Sequence, residues 1–147
     1  MAIKRIDVVP TISTSIYAAT DNMGGKLTLA SFLGANNKGT IRQVVMTDLS
    51  KQNAIISIAF FSANPTNTTF TDNGTLTVNA TDAATLIGHV AFAATDYLSF
   101  VTNSVATKAV TIPLESTNGD VYATLVCGGT PTYAGTGDLK LKFYVEV

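Results

Sequence analysis

Toward the end of the chain, Leu139, Leu141, Phe143, Val145 and Val147 alternate with Lys140, Lys142, Tyr144 and Glu146. That two-residue period is the pattern of a strand with one buried face. Val121, Ala123, Leu125 and Cys127 alternate with Tyr122, Thr124 and Val126 before Gly128 and Gly129 end the run. Val110, Ile112 and Leu114 form a further alternating face, with Pro113 marking an edge position or a strand end because it has no amide to donate. Ile55 to Phe61 carries apolar groups on both sides, as a central strand or one in a subunit contact would, and Ile41 to Met46 behaves similarly. Lys26 to Phe32, Ile12 to Tyr17, Tyr97 to Val101 and Leu76 to Ala80 complete the predicted strands.

One segment departs from this period. Asp82 is placed to cap a short helix in which Leu86 and Val90, four residues apart, share a face with Ile87, although Gly88 weakens it. Gly, Asn, Asp, Pro and Thr gather at Asp21 to Gly25, Gly34 to Gly39, Asn64 to Thr69, Asp72 to Gly74, Ser116 to Gly119 and Gly128 to Gly137, which predicts loops there. Asn73-Gly74 before Thr75 is a hairpin signal. The expectation is an all-β fold, mainly β with one short helix: a jelly-roll-like β-sandwich forming a single domain over residues 1–147.

Composition narrows the chemistry. Hydrophobic residues make up 46% of the 147 positions and charged residues 13%, enough for one large core. A formal net charge of -1 supplies no field to gather a polyanion or an anionic bilayer, so neither nucleic acid nor membrane is expected as a partner. Lys4 and Arg5 are not followed by an apolar stretch of signal-peptide length. The single Cys127 leaves no intrachain disulfide, which suits synthesis in a reducing cytoplasm.

Candidate reagents are sparse. His89 and Cys127 each stand alone, and a catalytic triad or a metal site would need partners around them that the sequence does not cluster. Cys127, sharing a strand face with Val121 and Leu125, reads as a small buried apolar group. Asp48, Asp82, Asp96, Glu115, Asp120 and Asp138 fall mostly at strand ends and turns, where a carboxylate caps local amides. No enzyme activity, cofactor or metal is therefore expected. Phe60, Phe61, Phe100, Tyr122, Phe143 and Tyr144 are expected within strands as core or interface groups, and Tyr133, after Pro131 in a Gly-rich loop, is placed to anchor a contact with another subunit. Tyr133, Pro131, Phe61 and Tyr144 are the candidate interface residues.

The stretch Asp120-Val121-Tyr122-Ala123-Thr124-Leu125-Val126, followed by Thr130-Pro131-Thr132-Tyr133, resembles small structural proteins of tailed bacteriophages. Ile41 to Asp48 with Gln52, Ile55 to Phe61 with the following Pro65, and the Asp21 to Gly25 turn after Tyr17 are similar to them as well. The resemblance implies a capsid decoration (cement) protein, made in the host cytoplasm and bound to the outside of the phage head. Its partners would be the major capsid protein and further copies of itself, often in a homotrimer at local threefold positions. Three other readings share the composition: a tail, adaptor or head-fibre component; a carbohydrate-binding sandwich using Tyr17, Tyr97, Tyr133 and Tyr144; and a small hydrolase with paired carboxylates.

Overall fold

The computed structural model describes residues 2–147. Two antiparallel sheets pack face to face. The first has the strand order β1 (Ile3–Val8), β9 (Leu139–Glu146), β3 (Lys38–Asp48), β7 (Ser104–Glu115) and β6 (Tyr97–Ser99). The second has the order β2 (Asn22–Leu29), β8 (Val121–Cys127), β4 (Ile56–Phe61) and β5 (Leu86–Phe92). The all-β sandwich that the alternation predicts is the fold observed.

Each sheet contributes its inward residues to one core. Leu139, Leu141, Phe143 and Val145 of β9 face Ile56, Ile58 and Phe60 of β4 and Val121, Ala123 and Leu125 of β8, all essentially without solvent contact. Phe143 stands at the centre, its ring edge to face with Phe60 of the opposite sheet at 5.8 Å and with Phe32 at 5.9 Å. Such pairs add to the burial of their area, each by about 0.5–1.5 kcal/mol.

β8 is buried on both faces apart from Val126. Its outer side is covered because residues 62–85, between β4 and β5, fold back over the second sheet. Phe70 lies edge to face on Phe61 at 6.4 Å, and buried Asp82 holds this connection by accepting from the Asn67 amide at 3.0 Å and the Thr68 hydroxyl at 2.6 Å. Beneath it, buried Asn22 donates to Thr124 Oγ1 at 2.6 Å and to the Leu125 carbonyl at 3.1 Å.

The structure corrects several expectations. The helix predicted through Leu86 and Val90 is strand β5, and the α-helix observed, α1 (Ala80–Ala83), is a single turn capped by Asn79, with Asp82 inside it. Gly88 belongs in that strand: a Cβ there would come within 2.6 Å of Ile112 Cγ2 on β7, so only glycine permits the two sheets to approach so closely at this edge. Ile12 to Tyr17 and Leu76 to Asn79 are irregular, although Ile12 and Tyr17 are buried in the core. Asn73-Gly74 makes a tight turn, Gly74 N donating to the Thr71 carbonyl at 3.1 Å, without a strand after it. Asn22 to Gly25 belongs to β2, bulged between Met23 and Lys26, with Gly24 and Gly25 at φ +82° and +73°. β1, unanticipated, pairs in unbroken register with β9. Pro113 lies in the stretch of β7 that β6 does not reach, a one-sided position as expected.

Candidate functional site

The strand directions gather the loops into two sets. Residues 9–21, 49–55, 93–103 and 128–138 meet at one end of the sandwich, while 30–37, 116–120 and the two ends of 62–85 lie at the other, the middle of 62–85 reaching back to bond with residues 17–22. The first end is laced together by its own polar groups. Thr132 N donates to Gln52 Oε1 at 3.0 Å, Ala134 N to Ser50 Oγ at 3.0 Å, Asn53 Nδ2 to Ser99 Oγ at 2.9 Å and Tyr97 OH to the Ala54 carbonyl at 2.8 Å. Asp48, wholly buried at the end of β3, accepts from the amides of Ser50, Gln52 and Asn53 at 2.8–3.1 Å. Desolvation pushes its carboxyl above the usual range, against the lowering effect of those amides.

On this rigid frame sits an apolar rim. Val9, Ile16, Leu49, Ile55, Leu98, Phe100 and Val101 are seven of the ten large hydrophobic side chains that the described residues leave exposed, which makes this end the apolar one. The β6–β7 hairpin carries three of the seven, with Leu98 62%, Phe100 54% and Val101 92% exposed. Charge is scarce there. Asp21 is buried, Asp72 accepts from Tyr17 OH and Gly24 N, Asp96 pairs with Lys108 at 3.1 Å, and Asp138 accepts from Ser50 Oγ and Gly135 N, leaving Lys51. An apolar, weakly charged surface on a hydrogen-bonded scaffold suits adhesion to another protein: little solvation is lost on contact and little mobility has to be frozen.

The four candidate interface residues are not brought together here. Tyr133 is 1% exposed and packs edge to face on Tyr17 at 6.2 Å, Pro131 is buried beside it in sequence, and Phe61 is 0% exposed beneath Phe70. These three spend their apolar surface inside the protomer. Tyr144 alone is partly exposed, on the outer face of the first sheet between Arg5 and Gln43. Nor do Tyr17, Tyr97, Tyr133 and Tyr144 form a stacking platform, since Tyr17 and Tyr133 are core residues.

The remaining reagents lie apart. His89 is exposed on the outer face of β5 opposite Ala59. Cys127 is buried in β8, as its strand face predicts, and desolvation pushes its thiol up. Asp96 caps the local amide of Ala93 and Asp138 that of Gly135, whereas Asp120 accepts from the amide of Ser31, distant in sequence. Among the described residues no three His, Cys, Asp or Glu side chains converge as a metal would require, and no helix is long and apolar enough to cross a membrane.

The rim was only partly legible in advance. Phe100 and Val101 are adjacent apolar residues just before Thr102-Asn103, and such a pair at a turn cannot send both side chains into the core. No protein-family model matches the chain, and no curated protein matches it at a significant level.

Proposed function

We propose that this protein is a structural component of a bacteriophage virion, a capsid decoration protein that docks through its apolar end on the outside of the assembled head. The observation that carries the reading is the concentration of exposed Leu98, Phe100, Val101 and Ile55 on segments tied to a rigid sandwich. The likeness of the Asp120 to Val126 and Thr130 to Tyr133 stretches to tailed-phage structural proteins supports it.

In this role the protein performs no bond chemistry. Each copy covers apolar surface shared by neighbouring capsid subunits, and binding only the assembled form stabilises that form by mass action. Many modest contacts over a shell add through multivalency. Because the docking end carries so little charge, attachment is mildly salt-sensitive, and release from particles by moderate salt alone would count against this mode of binding.

Quantitative mass spectrometry of purified virions, combined with labelling of the intact particle surface, tests the assignment. A decoration protein is present at a copy number comparable with that of the capsid subunit and is labelled from outside. A few copies per particle would place it in a tail or adaptor instead.

A further inference from the structure

The free edge of β1 has a feature that the docking end does not explain. Ala2 N donates to the Val147 carbonyl at 3.3 Å and Val147 N to the Ala2 carbonyl at 3.0 Å, so this is a hydrogen-bonded pair of the antiparallel ladder. Because such pairs alternate with open ones, the backbone groups of Lys4, Ile6 and Val8 also turn toward β9, and those of Ile3, Arg5 and Asp7 turn to the open side. An unpaired strand edge of this kind is a template for another strand.

The other three sheet edges are blunted. β2 is bulged between Met23 and Lys26 and is bridged at Asp21 and Asn22 by Thr75 and Asp72. β5 is bulged at Ile87, where its register with β4 shifts between Phe60 and Phe61. β6 is three residues long, and the stretch of β7 that it leaves uncovered carries Pro113 and the register shift against β3 between Ile41 and Gln43. β1 offers six residues with no bulge and no proline.

Its outward side chains read Ile3, Arg5, Asp7 and, continuing the alternation of exposure, Val9. This series is self-complementary. When a second copy runs antiparallel with its Ile6 opposite Ile6, Arg5 faces Asp7, Asp7 faces Arg5, and exposed Ile3 (59%) and Val9 (51%) cover one another. Centring the pair on Arg5 or on Asp7 instead would oppose like charges, which is destabilising. Shifting by a single residue would set outward side chains against inward ones. Among registers centred on Arg5, Ile6 or Asp7, the one centred on Ile6 alone sets unlike charges opposite one another.

We infer that the occupant of this edge is a second copy of the chain, and that two protomers join their β1 strands about a twofold axis at Ile6 into one continuous sheet. A palindromic edge generates an isologous pair, in place of the threefold arrangement that the family resemblance implies. The inference does not rest on docking to a capsid. Paired strands of this length bury less than a standard interface of about 1,600 Å², so the dimer is concentration-dependent in solution and favoured where copies are crowded together.

Sedimentation equilibrium of the full chain from about 1 µM to about 1 mM reads the result directly. The wild type moves from the 15.4 kDa chain mass to twice that mass. Arg5→Asp and Asp7→Arg each place like charges in opposition and weaken self-association at least about tenfold. An equimolar mixture of the two variants, and the double exchange R5D/D7R, restore it because opposite charges face again. Both positions are exposed, and their mutual ion pair at 3.0 Å contributes little to folding, which circular dichroism of each variant confirms. A wild type that stays at chain mass throughout, a three-chain mass, or single variants that associate as the wild type does would overturn the inference.

Discussion

Tyr17 and Tyr133 pack edge to face with ring centroids 6.2 Å apart, yet their hydroxyls are treated oppositely. Tyr17 OH donates to Asp72 Oδ1 at 2.6 Å and accepts from the Ser13 amide at 2.7 Å. Tyr133 OH is buried with no partner among the described residues. Burial pushes both phenols well above their ordinary pKa, with hydrogen bonding to Asp72 adding to it at Tyr17.

The two phenylalanine variants therefore diverge. Tyr17→Phe leaves Asp72 and the Ser13 amide short of a partner and lowers stability by about 1–3 kcal/mol. Tyr133→Phe removes a desolvated hydroxyl that bonds to nothing and leaves stability unchanged or raised. Urea denaturation of the pair checks both signs, and equal losses would show that Tyr133 has a partner.

At the opposite edge of the core, Gly88→Ala drives a methyl into Ile112 Cγ2, an atom on a β-branched side chain with little freedom to move. The expected cost is about 1–3 kcal/mol. Ile112→Ala alone is destabilising through the cavity it leaves, but combined with Gly88→Ala it costs less than the sum. A double-mutant cycle by denaturant titration measures that coupling, and strict additivity would deny the contact.

Gly88 also shows why part of the fold was hidden. Leu86 and Val90 are four apart, a spacing that satisfies a helix face and, being even, a strand face equally well. Only the contact with Ile112, distant in sequence, decides between them. Where the period was unambiguous, as from Leu139 to Val147, the strand appears as read. β1 was obscured because Lys4, Arg5 and Asp7 dominate its composition, although Ile6 and Val8 alternate with them. Tyr133 looked exposed because its loop is polar and Gly-rich. The loop instead folds onto residues 49–55 through Gln52 and Ser50, which no local signal announces.

Asp48 supplies a pH test. Its folded carboxyl is raised by desolvation, so its contribution to stability is complete below the ordinary carboxylate pKa and is lost as pH rises through the raised value. Asp48→Asn abolishes that titration. Measured by urea denaturation between about pH 3 and pH 7, the stability of wild type relative to Asp48→Asn falls as pH rises. A difference that instead grows with pH would mean the amides of Ser50, Gln52 and Asn53 outweigh the burial.

The adhesion account is tested most directly by co-sedimentation of the purified protein with phage heads that lack it, comparing wild type with Phe100→Ser/Val101→Ser. These exposed positions change stability by no more than about 0.5 kcal/mol, so folding is not in question. The account predicts saturable binding of wild type to the outer shell and loss of that binding in the variant. Failure of the wild type to bind, or binding that the variant retains in full, would contradict it.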